Sequence, residues 1–227
     1  VKIHATVMLY NDRTFLLAML ESIKNFVDSI IICDGAYKLY YETMLEHDKT
    51  VKPWSTDGSL DLIKLVDGKP DTTIIRPPNG EPWVNQLVKR VAMLNAVPNG
   101  DWFLGIDADE MLMGKPGEAF DTIMDSGCIV GQVPMYHAGL DYERLYPFWH
   151  PRIFQKTEGM HYKGTHWQLR DKFGRIIENA YPVEWTDKCV IAHLKAFKPA
   201  RRLTIHDEYL DKVKQQGWLE PFQIPAK

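Results

Sequence analysis

Apolar residues alternate with others through Ile3, Ala5, Val7 and Leu9, the period-two pattern of a strand over residues 1–10. The period then changes. From Arg13 to Phe26, the residues Leu16, Met19, Leu20, Ile23 and Phe26 recur at helical spacing. Ser29-Ile-Ile-Ile-Cys33 is a short continuous apolar run that stops at the turn pair Asp34-Gly35. Strand, helix and strand within about 35 residues predict a βαβ unit, whose strands are parallel and buried. Ala36 to Trp54 is rich in Tyr, Lys and Glu and reads as a long loop with room for a short helix. A helix is expected from Ser55-Thr-Asp-Gly-Ser59 to Val66, with Ser or Asp as its cap. Thr72 to Arg76 predicts a third strand, and Pro77-Pro-Asn-Gly80 a turn. Glu81 to Val97 predicts a helix with Val84, Leu87, Val88, Val91 and Leu94 on one face, stopped by Pro98-Asn-Gly100. Trp102 to Ile106 is a fourth strand running into Asp107-Ala-Asp-Glu110.

After residue 126 the runs shorten. Strands are expected at Ile129–Tyr136, Arg152–Gln155, Arg175–Ile177 and Lys188–Leu194, separated by aromatic loops. A terminal helix over Pro199–Gln215 carries Leu203, His206, Leu210 and Val213. The predicted class is α/β, with a central, mostly parallel sheet flanked by helices. No repeat or linker divides the chain, so one domain over 1–227 is expected, with a parallel half over 1–125 and a mixed half over 126–227. At 227 residues the chain can bury about 70% of its unfolded surface, so folding requires no disulfide or metal.

Charge and cysteine usage narrow the partners. The net charge of −3 argues against a coat of positive charge for duplex nucleic acid, while a local basic patch stays open. No run reaches the ~20 apolar residues of a membrane span. Cys33, Cys128 and Cys189 lie far apart in apolar stretches without CxxC spacing, and read as buried thiols in a reducing compartment. With no signal-peptide pattern at the start, a cytoplasmic location is expected.

In open parallel sheets, ligands bind outside the carboxyl ends of the strands. Three acidic clusters fall at such ends: Asn11-Asp12, Asp34, and Asp107-Ala-Asp109. Two carboxylates at i and i+2 repel unless a cation or a donor-rich ligand compensates them. Hard divalent cations want such oxygens and keep positions open for phosphate. A solvated acidic turn is the plain alternative for an isolated DxD.

Tyr10-Asn-Asp12, the run ending in Asp34-Gly35, Ser55-Thr-Asp-Gly-Ser59, the Arg90 helix and Asp101-Trp-Phe-Leu-Gly-Ile-Asp-Ala-Asp-Glu110 occur in the order seen in GT-A glycosyltransferases. The chain resembles glycosyltransferase family 2 in particular, over residues 3–125 and through Arg152-Ile-Phe154, Gly164-Thr-His166 and Ile191-Ala-His193. The resemblance implies a GT-A (Rossmann-like) fold, with a nucleotide-sugar-binding half and an acceptor-side half. It also implies a nucleotide-sugar donor, UDP-linked, and a divalent metal, Mn or Mg. Tyr10 and Asn11 would border the nucleobase and Asp34 would bond it. Arg90 would sit near the phosphates. Asp107 would hold the ribose or reach the metal through water. Asp109 would bind the metal, with His193 completing its shell. The insertion over 36–54 departs from the family pattern and leaves the base contacts open.

An inverting transfer needs a base for the acceptor hydroxyl. His166, in Lys163-Gly-Thr-His-Trp167, and Asp141 are the catalytic candidates, with Glu143 beside them. Each also reads as an ordinary loop residue. Tyr142, Tyr146, Phe148 and Trp149 can stack on sugars or bases, or anchor a loop. Arg201-Arg202 sits in a basic segment that can touch phosphates or simply face solvent. The acceptor stays open: glycan, lipid, protein or modified nucleobase. The function expected is thus a metal-dependent, hexosyltransferase-like enzyme. Two alternatives stand beside it, a sugar nucleotidyltransferase and a binding module without turnover. The first lacks its glycine-rich cradle, since the place after strand one reads Asn11-Asp-Arg-Thr14. A haloacid-dehalogenase-like phosphatase would carry its DxD on the first strand, whereas Asp107 is mid-chain.

Overall fold

In the computed structural model, which describes residues 1–68, 70–137, 148–163 and 168–215, the expected βαβ unit forms from β1 (Ile3–Leu9), α1 (Arg13–Ile23) and β2 (Ser29–Asp34). Then follow α2 (Lys38–His47), α3 (Ser59–Leu65), β3 (Asp71–Ile75), α4 (Gln86–Ala96) and β4 (Trp102–Asp107). The rest is β5 (Glu110–Gly114), α5 (Pro116–Asp125), β6 (Val130–His137), β7 (Phe148–Gln155), β8 (His161–Tyr162), β9 (Leu169–Arg170), α6 (Ile177–Ala180), β10 (Val183–Trp185), β11 (Cys189–His193) and α7 (Ala200–Gln215). The main sheet runs β3-β2-β1-β4-β7-β6-β11-β5, with β10 pairing β6. It draws strands from both halves of the chain. β7 and β5 run antiparallel to their neighbours, and the other pairings are parallel.

The central strands β1, β2, β4 and β6 are buried on both faces, and each face has its own core. Ile30, Ile32, Leu104 and Ile106 pack with Leu16, Leu20 and Ile23 of α1 and Phe120 of α5. Ile31 and Phe103 point the other way, against Leu94, Val97 and Phe154. Adjacent residues of one strand therefore serve opposite cores, as the pleat dictates. His4 is spent inside the fold, bonded to Ser29 Oγ at 2.6 Å and Asp101 at 3.1 Å. The three cysteines are free. Cys33 and Cys189 are buried, while Cys128 is only half-buried.

Four expectations need correction. Within Ala36–Trp54 the room left for a short helix is filled by the ten-residue α2, which lays Tyr40 and Thr43 inward and packs on α7, so about half the segment is helix rather than loop. The helix expected from Ser55 starts only at Ser59. Asp57 caps neighbours instead, taking the Ser59 N–H at 3.0 Å and the Arg13 N–H that opens α1 at 3.0 Å. α4 starts at Gln86 rather than Glu81, where Asn85 Oδ1 accepts the Val88 N–H at 2.9 Å. Arg175–Ile177 is no strand: Asp171 Oδ1 collects the N–H groups of Phe173 and Arg175, both at 2.9 Å, into a turn ahead of α6. β5, α5, β8, β9 and β10 had no counterpart in the expected elements.

The β5 end tests this packing. Gly114 has φ +93°, and a Cβ there would stand 2.6 Å from the Lys188 carbonyl oxygen. Gly127 has φ +74° with open space around it. Gly127→Ala should cost only the left-handed strain, about 1–2 kcal/mol. Gly114→Ala should cost that plus about 1–3 kcal/mol of overpacking. Urea midpoints of the two variants measure the difference, and equal losses would contradict the β5–β11 closure.

Candidate active site

Seven strand ends meet at one edge of the sheet. The parallel strands bring their carboxyl ends, with Tyr10, Gly35, Asp107, His137 and His193 at or just past them. The antiparallel strands begin there, so Glu110 faces His193 across β5–β11, and His150 and Arg152 lie near the start of β7. A cavity of about 890 Å³ opens at this edge. Its lining holds seven Lys or Arg (Lys89, Arg90, Arg152, Lys163, Lys195, Lys198, Arg202) and four Asp or Glu (Asp12, Asp107, Asp109, Glu110). The chain as a whole is acidic, so this excess of cations is local.

Asp109 is nearly buried and ionised. Lys198 Nζ lies 2.8 Å from its Oδ2 and His193 Nε2 lies 3.4 Å away. These partners hold its carboxyl below the ordinary range against the opposing effect of burial. In turn Asp109 raises the His193 pKa against the opposing pull of burial. His193 Nδ1 also meets His137 Nδ1 at 2.9 Å. Lys198 reaches Asp12 as well, at 2.8 Å. Arg202 Nη2 donates to the Tyr10 carbonyl at 2.6 Å, and its Nη1 to that of Asn11. Asn11 has φ +48°, so Arg202 braces a left-handed residue.

Glu110 is fully buried. It accepts Arg152 Nη2 at 2.6 Å and the Asp107 N–H at 2.8 Å. Burial nevertheless pushes its pKa up to about 7, with Asp107 adding to the rise and Arg152 opposing it. Among the described residues nothing bonds Asp107 Oδ1. Lys89 is 2% exposed and donates to the carbonyls of Leu9 (2.8 Å) and Gly35 (2.7 Å), tying the ends of β1 and β2 together. Burial draws its pKa down to about 8. Beside it stands an aromatic wall: Tyr40 meets Tyr10 at 6.1 Å and Tyr209 at 5.3 Å between ring centres, and Tyr37 meets Tyr209 at 6.4 Å.

The sequence candidates divide into three groups. Tyr10, Arg90, Asp107, Asp109 and His193 line the cavity together. Asn11 and Asp34 do not. Asn11 Oδ1 accepts the Thr56 N–H at 2.8 Å. Asp34 is 0% exposed, and its carboxylate accepts Ser55 Oγ at 2.6 Å and Arg76 Nε at 2.8 Å. As placed, that carboxylate organises the Ser55 loop rather than facing the cavity. His166 and Asp141, with Glu143, lie outside the described residues. Sequence reasoning passed over Lys89, Glu110, Arg152 and Lys198. The one available signal was His193-Leu-Lys-Ala-Phe-Lys198, which returns a lysine to the strand end that carries His193.

A divalent ion does not fit these side chains as placed. Among the described residues no three His, Cys, Asp or Glu form a group that could hold one. Asp109 and His193 are adjacent, but Lys198 is bound to the same Asp109 Oδ2 that His193 Nε2 meets.

The sequence matches no protein-family model and no curated protein. Its fold is shared with S. aureus TarS: at 12% identity and a TM-score of 0.57, all of this chain is matched to 46% of that one. A structure of TarS 1–349 matches at 16% identity over 62% of this chain and 37% of that one, TM-score 0.46. An inositol-1-phosphate CTP transferase from T. maritima matches at 9% identity over 91% and 95%, TM-score 0.40. At these identities the likeness is one of fold, and only the first superposition is close enough to carry it. The chain spans under half of each TarS chain it matches. The fold is the Rossmann-like, GT-A kind of α/β nucleotide-binding fold. No helix among the described residues is long and apolar enough to cross a membrane.

Two titrations test the site. Asp109→Asn should move the NMR titration of His193 to lower pH, and an unmoved midpoint would show that the two side chains do not pair. Glu110 has a folded pKa above its ordinary 4.5, so its contribution to stability is full below that value and is lost as pH rises to about 7. Relative to Glu110→Gln, the wild type should therefore lose stability over that window, read from urea midpoints at a series of pH values. A flat difference would mean that Arg152 keeps Glu110 ionised throughout.

Proposed function

We propose that this protein is a glycosyltransferase that moves a sugar from a nucleoside diphosphate to an acceptor. The observation that carries this reading is the cation-rich cavity at the carboxyl edge of a GT-A-like sheet, in a chain whose net charge is −3. A concave site with fixed positive charge suits a diphosphate and concentrates anions from solution. TarS, a glycosyltransferase, has this fold along the whole of the present chain. The nucleobase, uracil by the resemblance, would lie toward Tyr10, Tyr37, Tyr40 and Tyr209, whose faces can stack on it.

The acceptor oxygen bonds the anomeric carbon while the bond from that carbon to the diphosphate breaks. The nucleoside diphosphate leaves with the electron pair. Lys198 and Arg202 stabilise its developing charge, and holding both phosphates aims the carbon at the acceptor. The hydroxyl proton passes to a base. Asp141 and His166 are the proposed bases, and His137 joins them from the cavity wall. Burial, with His193 and Lys195 adding to it, lowers the His137 pKa, which keeps the imidazole neutral and able to accept a proton.

The second reading, sugar nucleotidyl transfer, needs a triphosphate cradle after β1. There Asp12 presents a carboxylate, bound to Lys198 and Arg202, which disfavours that reading.

Incubation with UDP-, GDP- and CDP-linked sugars and a panel of acceptors should release nucleoside diphosphate. Asp109→Asn should slow that release about 100-fold or more, the scale of losing a charge-organising group at a reacting centre. Pyrophosphate made from a nucleoside triphosphate and a sugar phosphate would favour the second reading. Neither product would sink both.

A further inference from the structure

A cation already sits on Asp109. Lys198 Nζ is 2.8 Å from Asp109 Oδ2 and 2.8 Å from Asp12 Oδ2, so one charge bridges carboxylates from two strand ends. The local chain path puts it there. β11 ends at His193, the Leu194 N–H donates to the Asp109 carbonyl at 2.8 Å, and one tight turn over Lys195–Phe197 brings Lys198 back to the carboxylate that His193 touches. An ammonium has three N–H donors. Asp12 and Asp109 take two, and among the described residues none takes the third. Arg202, in the first turn of α7, stands on the same wall, 3.4 Å from Asp12. A bridging cation between two carboxylates, facing an anion-binding cavity, is the arrangement a hard divalent ion provides elsewhere. Here the chain supplies it covalently.

We propose that Lys198 takes the place of the divalent ion: it joins Asp12 to Asp109 and offers its remaining N–H, beside Arg202, to the donor's diphosphate, so that diphosphate binding requires no metal. This rests on the nucleotide-sugar reading above. It differs from that reading in what it predicts for metal removal.

Calorimetric titration of UDP and of inorganic pyrophosphate, with EDTA or with saturating Mn²⁺, tests it. Wild-type affinities should agree between the two buffers within about threefold. In EDTA, Lys198→Ala should weaken both ligands about tenfold or more, while Lys198→Arg should keep most of the affinity. Paramagnetic resonance of Mn²⁺ alone gives a readout without nucleotide. Wild type should leave the ion free, and Lys198→Ala should gain a site that Asp109→Asn then removes. If Lys198→Ala fails to fold, the wild-type arms still decide. UDP binding that needs Mn²⁺, or a wild-type Mn²⁺ site lost in Asp109→Asn, overturns the inference and leaves the donor reading standing. Binding of neither ligand in either buffer, repeated with GDP and CDP, overturns the donor reading and this inference with it.

Discussion

An ionised carboxylate at the end of a buried strand must be met by opposite charge, and Asp109 is where that requirement shapes the molecule. It sits in the turn between β4 and β5, yet its partners, His193 and Lys198, come from far along the chain. Lys198 carries the linkage on to Asp12 after β1. Three strand ends are thereby drawn to one point. Removing the lysine would leave Asp12 to Arg202 and Asp109 to His193, each at 3.4 Å and so only loosely paired. The approach of α7 to the sheet follows from the same need, because Lys198 and Arg202 bracket its first turn.

The other buried charges at this edge follow the same rule with different partners. Lys89 gives its protons to two strand-end carbonyls, and Arg152 covers both Glu110 and the Gly105 carbonyl. Buried pairs of this kind are weak sources of net stability, since desolvation offsets most of the attraction. Their use here is orientation. Arg152 can play its part only because β7 is inserted antiparallel between β4 and β6, with Phe154 stacked on Phe103 at 5.3 Å to fix the register. The half after residue 126 thus supplies the imidazoles and most of the cations, while residues 1–125 supply the carboxylates together with Lys89 and Arg90 of α4.

How legible this was depended on burial. β1 could be read from its strict alternation, β2 and β4 from continuous apolar runs, and α1 from a full apolar helical stripe. α2 could not, because its inward face is made of Tyr40 and Thr43, and tyrosines among lysines and glutamates read as loop. β5 was hidden because Glu110 opens it with a buried charge, so the segment looked like the tail of an acidic turn. Asp109 and His193 announced themselves as polar residues leaving apolar runs. Arg152 and Glu110 carried no such sign, since what defines each is the other, 42 positions away, and Lys198 showed only as a lysine returning shortly after His193. Asp34 shows the converse: it leaves its strand as Asp109 does, but Ser55 and Arg76 close over it, and no local pattern encodes that closure.

The carboxylates of the cavity are therefore largely spoken for by the protein itself. Asp12 and Asp109 share Lys198, and Glu110 has Arg152. Asp107 differs, since its Oδ1 is buried with no bonding partner among the described residues. That oxygen can accept hydrogen bonds. An unmet acceptor of this kind is costly unless something with donors arrives. A diphosphate offers none, but the sugar hydroxyls attached to it do. The cavity lining carries more cations than carboxylates, and beside it one carboxylate oxygen of Asp107 is buried without a bonding partner among the described residues. On the nucleotide-sugar reading proposed above, the phosphates would meet Lys198 and Arg202, and the sugar hydroxyls would be the donors that the Asp107 side of the cavity lacks.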